Sequence, residues 1–266
     1  TAIDGSIWRR VKKESDNYFL LRFERTIESG NGYQGRPTTT SFRGSPDKLY
    51  FRFRSSKPGD FSFGVTAEKD AGEKLEWNPG NRYYGADYIS FHVHLQNKGR
   101  LKNLILGDYQ CQFGQGQMLG GIFGLGKGGE TITTIRRSNI GILPYTSVYE
   151  AGSLRGIAAT VEVSPHFLLT GFYSNTRRDA AISADTLADP FIASFQKTGL
   201  HRTENELFNR KKISERNSGG VLQYKNKAID AGVMFTETYF ETPVSRSPTP
   251  YNQFVFSGIK NRNVGL

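Results

Sequence analysis

Residues 88–119, YISFHVHLQNKGRLKNLILGDYQCQFGQGQML, hold two alternating segments that meet across a short polar turn. In the first arm Ile89, Phe91, Val93 and Leu95 fall on one side and Ser90, His92, His94 and Gln96 on the other. That is the period of two that a β-strand imposes. The second arm follows the turn at 97–100 and carries Asp108, Gln110 and Gln112 at alternate positions. The stretch predicts a hairpin with one apolar and one polar face, and the rest of the chain repeats that plan.

Upstream, residues 17–28 place Phe19, Leu21 and Phe23 against Arg22 and Glu24. Residues 48–54 and 61–68 alternate in the same way around the turn SSKPGD, where Pro58 and Gly59 supply turn chemistry. Downstream, 156–164 and 167–174 predict another hairpin over Pro165 and His166, followed by strands at 220–225, 228–240 and 253–260. Thr203 and Glu206 have capping-box spacing ahead of ELFNRKKISER, which predicts a short helix in the loop before residue 220.

Thirty glycines, 13% aromatic residues and only 36% hydrophobic residues fit β structure. The net charge of +10 is spread among 25 acids, so the basic stripe that nucleic-acid binding requires is missing. A single cysteine, Cys111, excludes an internal disulfide framework. No apolar run is long enough for a transmembrane helix.

About ten strands are predicted, joined alternately by short turns and long loops. An up-and-down transmembrane β-barrel has short turns on one side and long loops on the other, with strands of about ten alternating residues. A soluble antiparallel sandwich or barrel alternates too, but needs a second layer over its Phe-rich face. The expectation is therefore an all-β, antiparallel membrane barrel over 17–266, preceded by a linker or the end of a missing N-terminal domain at 1–16. KNRN at 260–263 reads as one more turn, with Val264 opening a further strand, so the barrel is expected to be incomplete.

LLRFERTIE (20–28), SPDKLYFRFR (45–54), GVTAEKDAGE (64–73), LGDYQCQFGQGQML (106–119), SVYEAGSLRGIAAT (147–160), TGFYSNTRRDA (170–180) and TGLHRTENEL (198–207) carry a resemblance. In this order they resemble a family of outer-membrane β-barrel proteins of Bacteroidota whose members have a helix-hairpin-helix domain of the competence-protein type ahead of the barrel. The resemblance implies a bacterial outer-membrane location. It also implies contact with outer-membrane lipid or lipopolysaccharide and with other envelope proteins. Nucleic acid would be met by the missing domain rather than by this segment. No catalytic residue carries over.

The polar positions Arg22, Glu24, Arg52, Arg54, Glu68, His92, His94, Asp108 and Glu162 are then expected to face a lumen. Residues 121–127, GIFGLGK, match a phosphate loop in spacing, but Gly128 stands where Ser or Thr is required, so no nucleotide is expected. His92 and His94 lack a third ligand of defined spacing, so neither a metal nor a cofactor is expected. Gly114, Gly116, Gly126, Lys127, Arg210 and Lys211 are the candidates for loop or partner contacts. The function expected is non-enzymatic, a structural or accessory subunit of an outer-membrane assembly. The alternative is a pore or uptake channel serving a nucleic-acid-binding domain.

Overall fold

A computed structural model describes residues 6–34, 38–120, 139–183, 189–245 and 249–266. In chain order its elements are α1 (Ser6–Glu14), β1 (Asp16–Arg25), β2 (Asp47–Lys57), β3 (Phe61–Lys69), β4 (Glu76–Asn78), β5 (Tyr83–Gly85), β6 (Tyr88–Lys98), β7 (Leu101–Gln112) and β8 (Gly141–Pro144). They continue with β9 (Leu154–Ser164), β10 (Phe167–Arg178), β11 (Ala180–Ser183), β12 (Phe191–Phe195), α2 (Glu204–Asn209), β13 (Ile213–Lys225), β14 (Asp230–Val244) and β15 (Gly258–Gly265). Thirteen strands form one sheet, while β4 and β5 pair separately.

The long strands follow one another in the order β1, β2, β3, β6, β7, β9, β10, β13, β14, β15, each hydrogen-bonded to the one before. Every one of these pairings is antiparallel. The strand ends joined by 58–60, 99–100, 165–166 and 226–229 lie at one end of the sheet, and those joined by 26–46, 70–87, 113–153, 179–212 and 245–257 at the other. The predicted alternation of short turns and long loops is thus present. The sheet does not close into a barrel: β1 and β15 stand at separate edges, with no pairing between them.

Side-chain facing follows from register. Phe19 pairs with Phe53, Phe53 with Val65, Val65 with Phe91, Val93 with Leu106, Leu106 with Ile157 and Ile157 with Tyr173. Leu169 then pairs with Leu222, Leu222 with Val233, and Phe235 with Val264. Phe19, Val65, Phe91, Val93, Leu106, Ile157, Leu169, Leu222, Val233, Phe235 and Val264 are all exposed. The alternate positions, among them Ser62, Thr66, Ser90, His92, His94, Thr160, Thr170, Ser174 and Thr236, are buried. On the inner strands one face of the sheet is therefore apolar and exposed and the other largely polar and covered, while β1 and β15 are exposed on both faces.

The covered face has apolar filling as well. Ile105, Tyr109, Cys111, Phe113, Ile142, Ala158, Phe172 and Val221 pack together, with Leu119 and Met234 against them. Phe113 and Leu119 come from the segment that leaves β7. There the Phe113 N–H donates to the Leu119 carbonyl at 3.3 Å, turning the chain back onto the sheet. Tyr109 lies on the same face, and its hydroxyl donates 2.9 Å to the carbonyl of Tyr173 on β10, two strands away.

Three expected boundaries move. The predicted helix through Arg216 stops at Asn209, because Ile213 and the positions after it alternate and Ile213 packs with Ala180, Ile192, Phe240 and Val244. The expected turn at 260–263 lies inside β15, where Lys260 faces Tyr239 and Asn263 faces Thr236. The short pieces β4, β5, β8, β11 and β12 fall in stretches read as loop.

One polar position is on the unexpected face. Asp108 is fully buried, and its carboxylate takes Arg155 Nε at 2.7 Å and a second guanidinium nitrogen at 2.9 Å. It also accepts the Phe91 N–H at 2.9 Å, replacing a ladder bond where β6 and β7 separate beyond Gly107. The Arg155 guanidinium stands 5.7 Å over the Phe91 ring, so this pair belongs to the apolar face and not to the covered one. Asp108, expected to face a lumen with His92 and His94, therefore lies on the other face from them. The Arg155 side chain is 43% exposed, but without it the buried Asp108 carboxylate is left unpaired, which costs more than replacing both groups. Thermal unfolding followed by circular dichroism should therefore show a larger loss for Arg155→Leu than for Asp108→Leu with Arg155→Leu.

Candidate functional site

The chemistry of the chain concentrates at the long-loop end, around His201. Four of the long connections supply it: 26–46, 70–87, 113–153 and 179–212. His201 is 2% exposed, and its ring lies between two carboxylates. Nδ1 bonds Asp87, and Nε2 bonds Asp179 Oδ2 at 2.7 Å. The other Asp87 oxygen receives Arg210 Nε at 2.9 Å, and Asp179 Oδ1 receives the Lys211 N–H at 2.7 Å. Glu73 accepts the His201 N–H at 2.9 Å through one oxygen and the Asp70 N–H at 2.8 Å through the other.

Local sequence places each group. The capping box predicted for α2 is formed, since the Thr203 hydroxyl accepts from the Glu206 N–H at 3.4 Å and Glu206 accepts the Thr203 N–H at 2.9 Å. It fixes the start of α2 directly after His201. At the helix's other end Arg210 is extended and ends the helix, and Lys211 follows at φ +48° with its N–H donating to Asp179. Arg210 lies 4.2 Å over the Tyr83 ring, which ties β5 to the cluster. Connection 26–46 enters through backbone bonds of 2.8 Å from Arg43 to Arg202 and from Gly44 to Gly72. A Cβ on Gly44 would stand 1.6 Å from the Glu73 carbonyl oxygen, so this approach requires glycine.

Burial pushes the Glu73 carboxyl up to about 7, helped by the charge of Asp87. Burial likewise raises Glu150 to about 8, again with Asp87 adding to it. For His201 burial acts to lower the value, but the hydrogen bonds to Asp179 and Asp87 outweigh it and raise the imidazole to about 10. Burial opposes ionisation of Asp87 too, and is outweighed by His201 and Arg210, which hold it below the usual carboxylate range. At neutral pH the centre is an imidazolium between two aspartates.

Two ligand sets have metal-like spacing: Glu73, Asp87 and His201, and Glu150, Asp179 and His201, each with donor atoms within 4.8 Å of one another. Both depend on His201, whose two nitrogens are engaged by carboxylates. A metal in either set would have to displace the ring proton and a bond to Asp87 or Asp179. With both ring nitrogens bonded to carboxylates, His201 joins the connection at 70–87 to that at 179–212.

Of the residues singled out in the sequence, Arg210 and Lys211 belong to this cluster, but Arg210 is buried in it and is not a docking surface. Gly114 and Gly116 form the turn after β7, with φ of +54° and +72°, beside the packed Phe113. Gly126 and Lys127, with the phosphate-loop-like stretch, lie outside the described residues. On the covered face His92 Nε2 meets Ser62 Oγ at 3.0 Å and His94 Nε2 meets Asn103 Oδ1 at 3.0 Å, so the two histidines have separate partners. Glu68 pairs with Lys48 at 3.1 Å, and Glu162 pairs with Lys102. Arg22 and Glu24 pair along one strand at 2.9 Å rather than across strands. Arg52 donates to the Thr146 carbonyl, and Arg54 is exposed opposite Gly64. Glu73, Asp87, Glu150, Asp179 and His201 had no motif to mark them, because they come from separate loops. No protein-family model matches the chain, and no curated protein or solved structure is similar to it.

Glu73 and Glu150 are stabilising while protonated, and that contribution fades as pH rises past the ordinary 4.5 and is gone above about 7 and 8. His201 contributes fully below 6.5 and loses its contribution as pH rises through about 10. All three shifts have the same sign. Amide exchange of residues 199–211 should be slowest near pH 5 and, after correction for intrinsic rates, lose protection steadily toward pH 10. His201→Ala, which leaves two aspartates facing each other, should abolish that protection at every pH, at a cost of about 3–5 kcal/mol.

Proposed function

We propose that this chain is a portion of a non-enzymatic outer-membrane β-barrel protein, a structural or accessory subunit of an envelope assembly. One observation carries the reading: the apolar face is exposed from β1 to β15, while the opposite face buries Ser90, His92, His94, Thr160, Thr170 and Ser174. In water such a sheet leaves its largest apolar area uncovered, whereas in a bilayer that face meets hydrocarbon. Strands of eight to fifteen residues suit the thickness to be crossed. The short turns at one end and long connections at the other also fit. Within this reading β1 and β15 need partners, because an edge cannot remain unpaired in lipid. The two edge strands run antiparallel to each other, so direct pairing, or pairing through an even number of further strands, satisfies both.

The structural role is favoured over the open channel by the covered face. Phe113 and Ile142 fill it, and a network centred on His201 ties the loops above it. The resemblance to the Bacteroidota family agrees with this location.

The folded protein should insert into lipid vesicles and migrate differently on a denaturing gel before and after boiling. A charge in the apolar band should cost about 2–4 kcal/mol at the bilayer midplane. Phe235→Arg is therefore expected to lower the yield of the heat-modifiable form, while Asn263→Lys, on the opposite face, leaves it near that of the parent. Equal tolerance of both would contradict the reading.

A further inference from the structure

Beyond the apolar band, toward the long loops, the exposed face of β14 and β15 changes character within two residues. Phe235 and Val264 are the last apolar pair between β14 and β15. The next same-face positions pair Glu237 with Arg262, and those after pair Tyr239 with Lys260. On β13 and β10 the same level holds Arg216, directly opposite both Tyr239 and Asn175. Arg177 lies one step further, opposite Ser214. The registers of β10 with β13 and of β13 with β14 run without a shift, so all these side chains share the face of Leu169, Leu222 and Val233.

The charges in this row are unequally met. Glu237 is taken by Arg262 at 2.6 Å and approached by Lys260 at 3.9 Å. Glu241 follows on the same face and is exposed. Arg216 has the Tyr239 ring at 5.6 Å, and Arg177 reaches only the Lys211 carbonyl at 3.5 Å. Among the described residues neither guanidinium has a carboxylate at ion-pair distance. Asn175 and Ser214, which lie between them, are joined at 2.9 Å, so the intervening polar atoms are already bonded to each other.

We infer that Arg177 and Arg216 bind the phosphate of a lipid headgroup in the leaflet next to the long loops. A guanidinium presents a planar fork of donors that matches phosphate oxygens, and Tyr173 and Tyr239 supply the amphipathic rings found at a membrane boundary. The apolar row of Leu169, Leu222 and Val233 continues from the site in the direction the acyl chains of such a lipid would take. This inference rests on the membrane reading above.

The test uses the full chain reconstituted in phosphatidylcholine nanodiscs, with phosphatidic acid as the probe lipid and native mass spectrometry as the readout. The parent should retain phosphatidic acid with at least about tenfold preference over phosphatidylcholine. Arg177→Gln with Arg216→Gln should remove the preference. Arg9→Gln with Lys12→Gln, at the short-turn end, should leave it unchanged. Heat-modifiable migration of each variant reports that it remains folded, and Arg177→Lys with Arg216→Lys, which keeps charge without the fork, should retain part of the preference. A chain that fails to insert overturns the membrane reading and this site with it. Insertion without preference, or a preference that survives both glutamines, overturns the site alone. Equal competition by inorganic phosphate, or displacement by an acidic protein rather than by lipid, would assign the cations to another anion and overturn the lipid assignment.

Discussion

A strand cannot bury Ser90, His92 and His94 without turning Phe91 and Val93 outward, and here that exchange is made on strand after strand. Alternation is a property of the backbone, so once the covered face is polar the exposed face must take the apolar side chains. The antiparallel register carries this choice from β1 to β15 without inversion. A slip of one residue in any pairing would interchange the two faces, so the continuity of the apolar band is also evidence for the register.

The ends of the sheet serve different tasks. Short turns keep neighbouring strands in register at one end, with Gly99 at φ +65° in one of the two two-residue turns. At the other end the connections are long enough to meet, and they do so through charge. His201, Asp87 and Glu73 are buried, and Asp87 and Glu73 of one connection meet His201 and Arg210 of another. A buried charge without a partner is costly, so such a network is most stable when all its members are present. Its members draw together connections that the sheet alone would leave apart.

Much of this was legible from residues 88–119. Their alternation identifies the strands, the two faces and the hairpin, and the same reading located the capping box of α2. What escaped the sequence depended on partners distant along the chain. Asp108 looked like a lumen residue because its neighbours Gln110 and Gln112 alternate with it, but Arg155, 47 residues away, holds it on the apolar face. The stretch after Asn209 looked helical because Lys211 and Lys212 are good helix formers, until Ile213 found a place in a cluster with Phe240 and Val244. His201 carried no local signal at all, since its carboxylate partners lie 114 and 22 residues away.

The central claim is that the exposed face meets hydrocarbon while the opposite face does not. Single cysteines at 233, 234, 235 and 236, introduced with Cys111 replaced by alanine and labelled with a nitroxide, test it directly in lipid vesicles. Oxygen, which concentrates in lipid, should relax the labels at Val233 and Phe235 strongly and those at Met234 and Thr236 weakly. Four labels with equal oxygen accessibility, or labels at Val233 and Phe235 that respond instead to a water-soluble nickel chelate, would contradict the account.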